Sequence, residues 1–333
     1  MPRPRYTQIS LDDTPYYHCV SRCVRRAFLC GEDHHLGRNF EHRRQWILDK
    51  LFELSDVFSM DLCAYAIMSN HYHVVLHVDR GQAADWCRDE VIRRWHCLFN
   101  GSALSRRLIQ GDRLLPVELD ALDSQVAIWR ARLMDISWFM RVLNESIARR
   151  ANEEDGCTGR FWEGRFKCQA LLDEAALAAC MAYVDLNPVR AGVAKTPEAS
   201  DYTSVQQRIL KATSAHMPNH PSQQTHGLMG FAGNPRQDMP RGLPFRLTDY
   251  LDLVDWTGRI LREDKHGAIP ADSPCVLDRL GLEQDHWRYL TTHFESRFKG
   301  LVGHAYRLKQ VARNLGLKRP PGLGACLKYL SRG

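Results

Sequence analysis

The spacing of apolar positions changes period several times along the first two hundred residues. Tyr16 to Cys23 (YYHCVSRC) is aromatic, β-branched and small, the composition of a short strand. From Arg38 to Leu54, Phe40, Ile47, Leu48, Leu51 and Leu54 recur on one face and predict a helix. Between Phe58 and Met68, Leu62, Ala64 and Ala66 alternate with their neighbours, Ser69-Asn70 is a turn signal, and His71 to Val78 (HYHVVLHV) is strand-like again. Phe58–Val78 is therefore expected to be a β-hairpin. Ala83–Phe99 returns to helical spacing, and Gly101–Arg132 reads as a helical or irregular insert with several arginines. Ile136–Asn152 is an amphipathic helix candidate with Phe139, Val142, Leu143 and Ile147 on one side. Arg165–Leu172 has the pattern of a strand. Asp173-Glu174 opens a helix through Tyr183 that must end near Asn187, because Pro188 disfavours helical geometry before it. Strand, helix, hairpin, helix, strand predicts an α+β protein with an antiparallel sheet.

The composition then shifts. Lys211–Met239 is rich in Pro, Gly, His, Gln and Asn, which predicts a linker over 206–240. Arg241–Gly333 returns to helical spacing and carries a basic run from Arg307 to Arg319. The expected organisation is a domain over 1–205, the linker, and a helical C-terminal region over 241–333 that contacts DNA backbone or simply presents a solvated face.

With 44% hydrophobic and 25% charged residues in 333, full-length disorder is excluded. No run of about 18 apolar residues occurs, so no membrane partner is expected. The basic start, Met1 to Tyr6, has no apolar core after it and is not a secretory signal. The 11 cysteines include no CxxC pair, which argues against a structural zinc module and fits free thiols in a reducing cytoplasm. Lys+Arg exceed Asp+Glu by 45 to 39, a net +6 that leans toward an acidic partner such as nucleic acid.

Three segments carry candidate chemistry. In His71-Tyr72-His73 the two imidazoles sit at i and i+2 of a strand, on one side and about 6.5–7 Å apart at the backbone. They can chelate one divalent ion, or they can be two surface histidines on an open sheet face. Gly159-Arg-Phe-Trp-Glu-Gly-Arg-Phe-Lys167 interleaves aromatics with Arg160, Arg165 and Lys167, which suits a flexible nucleic-acid strand. A loop stapled to the core by its aromatics would look the same. In Tyr183-Val-Asp-Leu-Asn187-Pro-Val-Arg190, Tyr183 and Asn187 fall at i and i+4 of a helix. A phenol can be a nucleophile and an amide oxygen can ligate a hard cation, or the pair can be packing and helix termination.

Taken in order, SNHYHVVLHV, GRFWEGRFK and AYVDLNPVRAGV resemble the single-tyrosine HUH transposases, most of all the REP-associated tyrosine transposases, over roughly residues 5–205. The resemblance implies a ferredoxin-like antiparallel core and a metal site on His71 and His73. It also implies a helix whose Tyr183 attacks a phosphodiester of single-stranded DNA to give a 5′-phosphotyrosine and a free 3′-OH. Tyr72 stands where the family usually has a bulky apolar residue. Asn187 stands where related enzymes place a glutamine as third ligand. Tyr65, Tyr72 and Tyr202 are rival nucleophiles, with Tyr72 expected to face away from the histidines. Arg160, Arg165, Lys167 and Arg190 are the candidate DNA contacts. The implied cofactor is a divalent ion, Mg²⁺ or Mn²⁺, because hard Mg²⁺ prefers oxygen while two histidines shift the preference toward Mn²⁺. The implied partner is single-stranded or hairpin DNA, bound by a monomer or a homodimer. A non-catalytic nucleic-acid-binding relative and a metal hydrolase using water remain as alternatives; only the transposase needs the Tyr183 hydroxyl.

Overall fold

The computed structural model describes residues 8–24, 29–33, 37–233, 241–261 and 275–330. The chain begins with β1 (Tyr16–Arg22), a small ribbon of β2 (Glu32–Asp33) and β3 (Arg38–Asn39), and α1 (Arg43–Val57). The hairpin follows as β4 (Met60–Ile67) and β5 (His71–Val78). Next come α2 (Arg80–Asp85), α3 (Arg88–Leu98), α4 (Ala103–Ile109), α5 (Pro116–Arg132) and α6 (Ile136–Glu154). Strand β6 (Lys167–Leu171) leads into α7 (Glu174–Asp185), the short α8 (Asn187–Arg190) and α9 (Ser204–Thr213). The remainder is α10 (Leu247–Ile260), α11 (Cys275–Leu280), α12 (Gln284–Arg297), β7 (Leu301–Val302), α13 (Ala305–Asn314) and α14 (Leu323–Tyr329).

The main sheet has the order β4-β5-β1-β6-β7 and is antiparallel except for the β6–β7 pair. Segment β1–α1–β4 is a split βαβ unit with β5 inserted between its strands. Alternation along β5 decides what covers each face. Tyr72 points to α6, where its hydroxyl donates to Asn144 Oδ1 at 2.9 Å. His73 points the other way, toward Tyr183 of α7. Helix α1 packs with α6 and against β4.

Helix α7 starts where Asp173 accepts the Ala176 N–H through its side chain, and it is buried all round. Leu186 interrupts it, so Pro188 sits in the first turn of α8, where its missing N–H costs nothing. The helix expected over Ala83–Phe99 is two helices instead. Trp86 and Cys87 are extended between them, and Arg130 Nη1 donates to the carbonyls of Ala83 and Trp86, each at 2.6 Å. That cross-link from α5 lies far away in sequence and overrides the local helical spacing.

The linker expected over 206–240 is corrected along its described part, 206–233. Leu228, Met229 and Phe231 are buried, Leu228 bridges to Leu62 at the sheet edge, and Met229 N donates to Leu62 O at 2.8 Å. The Gln224 amide takes both backbone bonds of Phe231, accepting from its N–H at 2.7 Å and donating to its carbonyl at 2.8 Å. A polar side chain thus does the work of a strand partner, so polar composition here does not mean free chain. Residues 234–240 lie outside the described residues. The C-terminal region is likewise joined to the core, through β7 on β6 and through α12 on α7. Its basic helix α13 buries Leu308, Val311 and Ala312 and exposes Lys309 and Arg313.

Two expectations follow. A chain ending at residue 210 loses β7, α12 and the 228–231 anchor; it should show no cooperative melt, while the full chain resists limited proteolysis across 211–233. The second concerns Asp185, which is fully buried and accepts from Ser204 Oγ, Val205 N at 3.1 Å and Tyr250 Oη at 2.6 Å. Burial outweighs those donors and pushes its carboxyl up to about 6. The folded state therefore holds the Asp185 proton more tightly than the unfolded chain does, and its contribution to stability is lost as pH rises from about 4 through about 6. Denaturant melts at pH 4.5 and 7.5 should show the wild type losing about 2 kcal/mol relative to Asp185→Asn, which does not titrate.

Candidate functional site

The site is built on one face of the sheet where β5, β1 and β6 lie side by side. In the β1–β5 ladder His18 is opposite Val75 and His73 is opposite Val20, so the two histidines are diagonal neighbours on one face. In the β1–β6 ladder His18 is directly opposite Gln169. Their rings follow from that register. His18 Nδ1 is 2.7 Å from Gln169 Oε1, and His18 Nε2 is 2.9 Å from His73 Nδ1. The His18 and His73 rings are nearly coplanar, with centroids 5.2 Å apart and 9° between their planes. His71 meets His73 edge-on at 4.8 Å and has its Nδ1 2.5 Å from Asn70 Oδ1.

Helix α7 brings Tyr183 onto this face. Its ring stands edge-to-face with His73 at 5.8 Å and with His18 at 6.3 Å. The other side of the ring is taken by Arg190, whose guanidinium lies 3.8 Å above it and donates to the Tyr183 carbonyl at 2.6 Å and the Thr291 carbonyl at 3.2 Å. Phe294 of α12 packs against both Tyr183 (5.9 Å) and His18 (6.2 Å). Tyr183 is 8% exposed and His73 is fully buried.

Burial sets the protonation here. It drives His18 and His73 below the usual imidazole range and takes His71 down to about 4, with Arg22 adding to the effect at His71. All three are neutral at physiological pH, the form in which an imidazole binds a metal. Burial also raises the Tyr183 phenol, and the Arg190 cation pulls against it. Among the described residues, His73 Nε2 and Asn187 Nδ2 are buried atoms with no hydrogen-bond partner. The bare imidazole nitrogen of His73 is an atom that can ligate a divalent ion, whereas the unpartnered atom of Asn187 is the amide nitrogen, so ligation there requires its oxygen. No cluster of three or more His, Cys, Asp or Glu with metal-holding geometry occurs among the described residues, so any such site rests on two histidines and an amide.

The other expected residues divide. Arg160, Arg165 and Lys167 are exposed and line an open cleft of about 970 Å³, together with Lys299, His18 and Gln169. Arg190 does not join them; its guanidinium is turned inward onto two carbonyls and against the Tyr183 ring. Phe161 and Trp162 are core residues, with Trp162 Nε1 donating to Asn144 O at 2.9 Å, so these two aromatics staple the loop, while the half-buried Phe166 lines the cleft. Tyr65 packs edge-on against Phe52 of α1 at 6.2 Å, and Tyr202 lies 5.7 Å from the Arg44 guanidinium.

Sequence reasoning missed His18, Gln169, Phe294 and Glu295. Glu295 pairs with Lys167 at 2.8 Å, and the Lys167 ammonium holds its carboxyl below the usual range despite burial. His18 stands in YYHCVSRC with no local signal, and only sheet register shows its role.

No family model matches the chain, and no curated protein is significantly similar to it. Among solved structures, the chain is similar to a REP-associated tyrosine transposase bound to a REP hairpin, at 12% identity and a TM-score of 0.39, over 73% of this chain and 97% of that one. A likeness of that size carries no argument about the chemistry of this chain.

Proposed function

We propose that the protein is a transposase-type enzyme that cleaves and rejoins single-stranded or hairpin DNA through Tyr183, on a ferredoxin-like core. The observation that carries the reading is the meeting of the Tyr183 ring with His73 and His18 across the α7–sheet interface. The split β1–α1–β4 unit and the strand order support the ferredoxin-like description. The exposed Arg160, Arg165, Lys167 and Lys299 line a cleft that reaches His18, which suits an anionic strand entering beside the site.

In the reaction, the Tyr183 oxygen forms a bond to phosphorus and the P–O3′ bond breaks. The phenol proton is lost, the 3′ oxygen gains a proton, and the 5′ end is held as a phosphotyrosine. The bond energy is conserved, so a later 3′-OH can reverse the step. Arg190 lies against the phenol ring and favours its ionised form. His71, His73 and Asn187 would hold a divalent ion, Mn²⁺ or Mg²⁺, which neutralises a nonbridging phosphate oxygen when bound. A second reading, hairpin binding without cleavage, is favoured by one feature: Phe294 lies against Tyr183 and helps leave it only 8% exposed.

Tyr183→Phe removes one oxygen from a packed ring and should leave the melting temperature nearly unchanged. Cleavage of a labelled hairpin should fall by at least about 10⁴-fold, and the denaturation-resistant protein–DNA adduct should disappear. Mass spectrometry of the wild-type adduct should place the nucleotide on the peptide containing Tyr183; no adduct in the wild type would favour the binding-only reading. Neutralising Arg160, Arg165 and Lys167 together should weaken hairpin binding and reduce the slope of log affinity against log salt by about 1 per residue in contact with phosphate, read by fluorescence anisotropy. Arg190→Gln should leave that slope unchanged and lower the cleavage rate instead.

A further inference from the structure

His18 is the one buried imidazole on this face with both ring nitrogens engaged, among the described residues. The chain of contacts has a direction. Gln169 Nε2 donates to the carbonyl of Phe298, so the amide oxygen Oε1 is the atom that faces His18. An oxygen accepts, so His18 Nδ1 carries the hydrogen. A neutral imidazole has one N–H, which leaves His18 Nε2 bare. That nitrogen is 2.9 Å from His73 Nδ1, so His73 Nδ1 carries the hydrogen and donates. His73 Nε2 is then left as a bare lone pair, and it is the buried atom with no hydrogen-bond partner.

We propose that Phe298 O, Gln169 and His18 form a relay that fixes His73 in its Nδ1–H tautomer and holds its Nε2 lone pair in the site. His18 is thereby a positioning residue, acting through His73. The relay is anchored on three adjacent strands, because His18 is opposite Gln169 on β6 and diagonal to His73 on β5. Its outermost acceptor, Phe298, follows α12, so the C-terminal region sets the first link. A free neutral histidine favours the other tautomer, with hydrogen on Nε2, and that form would present an N–H where a cation has to meet a lone pair. This inference rests on the proposed function for its purpose, and on hydrogen-bond direction alone for its content.

The test is performed on the full chain, free of metal, with selective ¹⁵N-histidine labelling. Two-bond ¹⁵N–¹H correlation reads the tautomer of each ring, with signals assigned by His18→Gln and His73→Gln. His18 and His73 are both expected as Nδ1–H. In His18→Leu the acceptor for His73 is gone. In His18→Gln the side-chain oxygen takes the place of Nε2 and restores it. Calorimetric titration with Mn²⁺ should show affinity down about 10–100-fold in His18→Leu and recovered in His18→Gln. Hydrogen on His73 Nε2 in the wild type would overturn the relay whatever the variants do, as would undiminished Mn²⁺ affinity in a folded His18→Leu. The assigned tautomers in a wild type that binds no Mn²⁺ would support the relay and remove the metal from the proposed function.

Discussion

The arrangement depends on the register of one seven-residue strand. Strand β1 carries a ladder on each edge, to β5 and to β6, and His18 reaches Gln169 and His73 only in that register. A slip of one residue would send His18 to the opposite face and put Cys19 in its place. The register is held from outside the ladders. Tyr17 Oη donates to Ser10 O at 2.8 Å and accepts from Ser10 N at 3.0 Å, and Thr14 Oγ1 donates to Leu171 O at 2.5 Å. Tyr17 and Cys19 are fully buried, so the face of the strand opposite the histidines is packed as tightly as the histidine face itself.

The parts of this fold that sequence exposes are those governed by local period. The hairpin, α1, α6 and the helix bearing Tyr183 all lie close to where spacing puts them, with bounds shifted by a few residues. His71, His73 and Tyr183 were legible because each sits in a short pattern with its own geometry. His18 and Gln169 were not, because they are 151 residues apart and meet only through strand pairing. Arg190 misled for a related reason. A basic residue near a nucleophile reads as a phosphate contact, but two carbonyls from different helices claim it first. The polar stretch before Arg241 misled because Gln224 satisfies backbone groups that composition cannot see.

A phenol under cover is subject to opposing energetic effects. Removal from water disfavours the phenolate of Tyr183, but the same exclusion strengthens every fixed charge around it, Arg190 first. Lys167 faces a similar contest. It borders the cleft and is held by Glu295, so an anion entering there would compete with a carboxylate already in place.

The parallel pairing of β6 with Leu301–Val302 gives the molecule an order of assembly in time. During synthesis the strands with the histidines and the helix with Tyr183 leave the ribosome well before Phe294, Phe298 and β7. Until those late residues arrive, Gln169 lacks its outer acceptor, β6 is an open sheet edge and one side of Tyr183 is bare. The nascent chain therefore carries the face bearing His18, His73 and Tyr183 uncovered until the last hundred residues have been made.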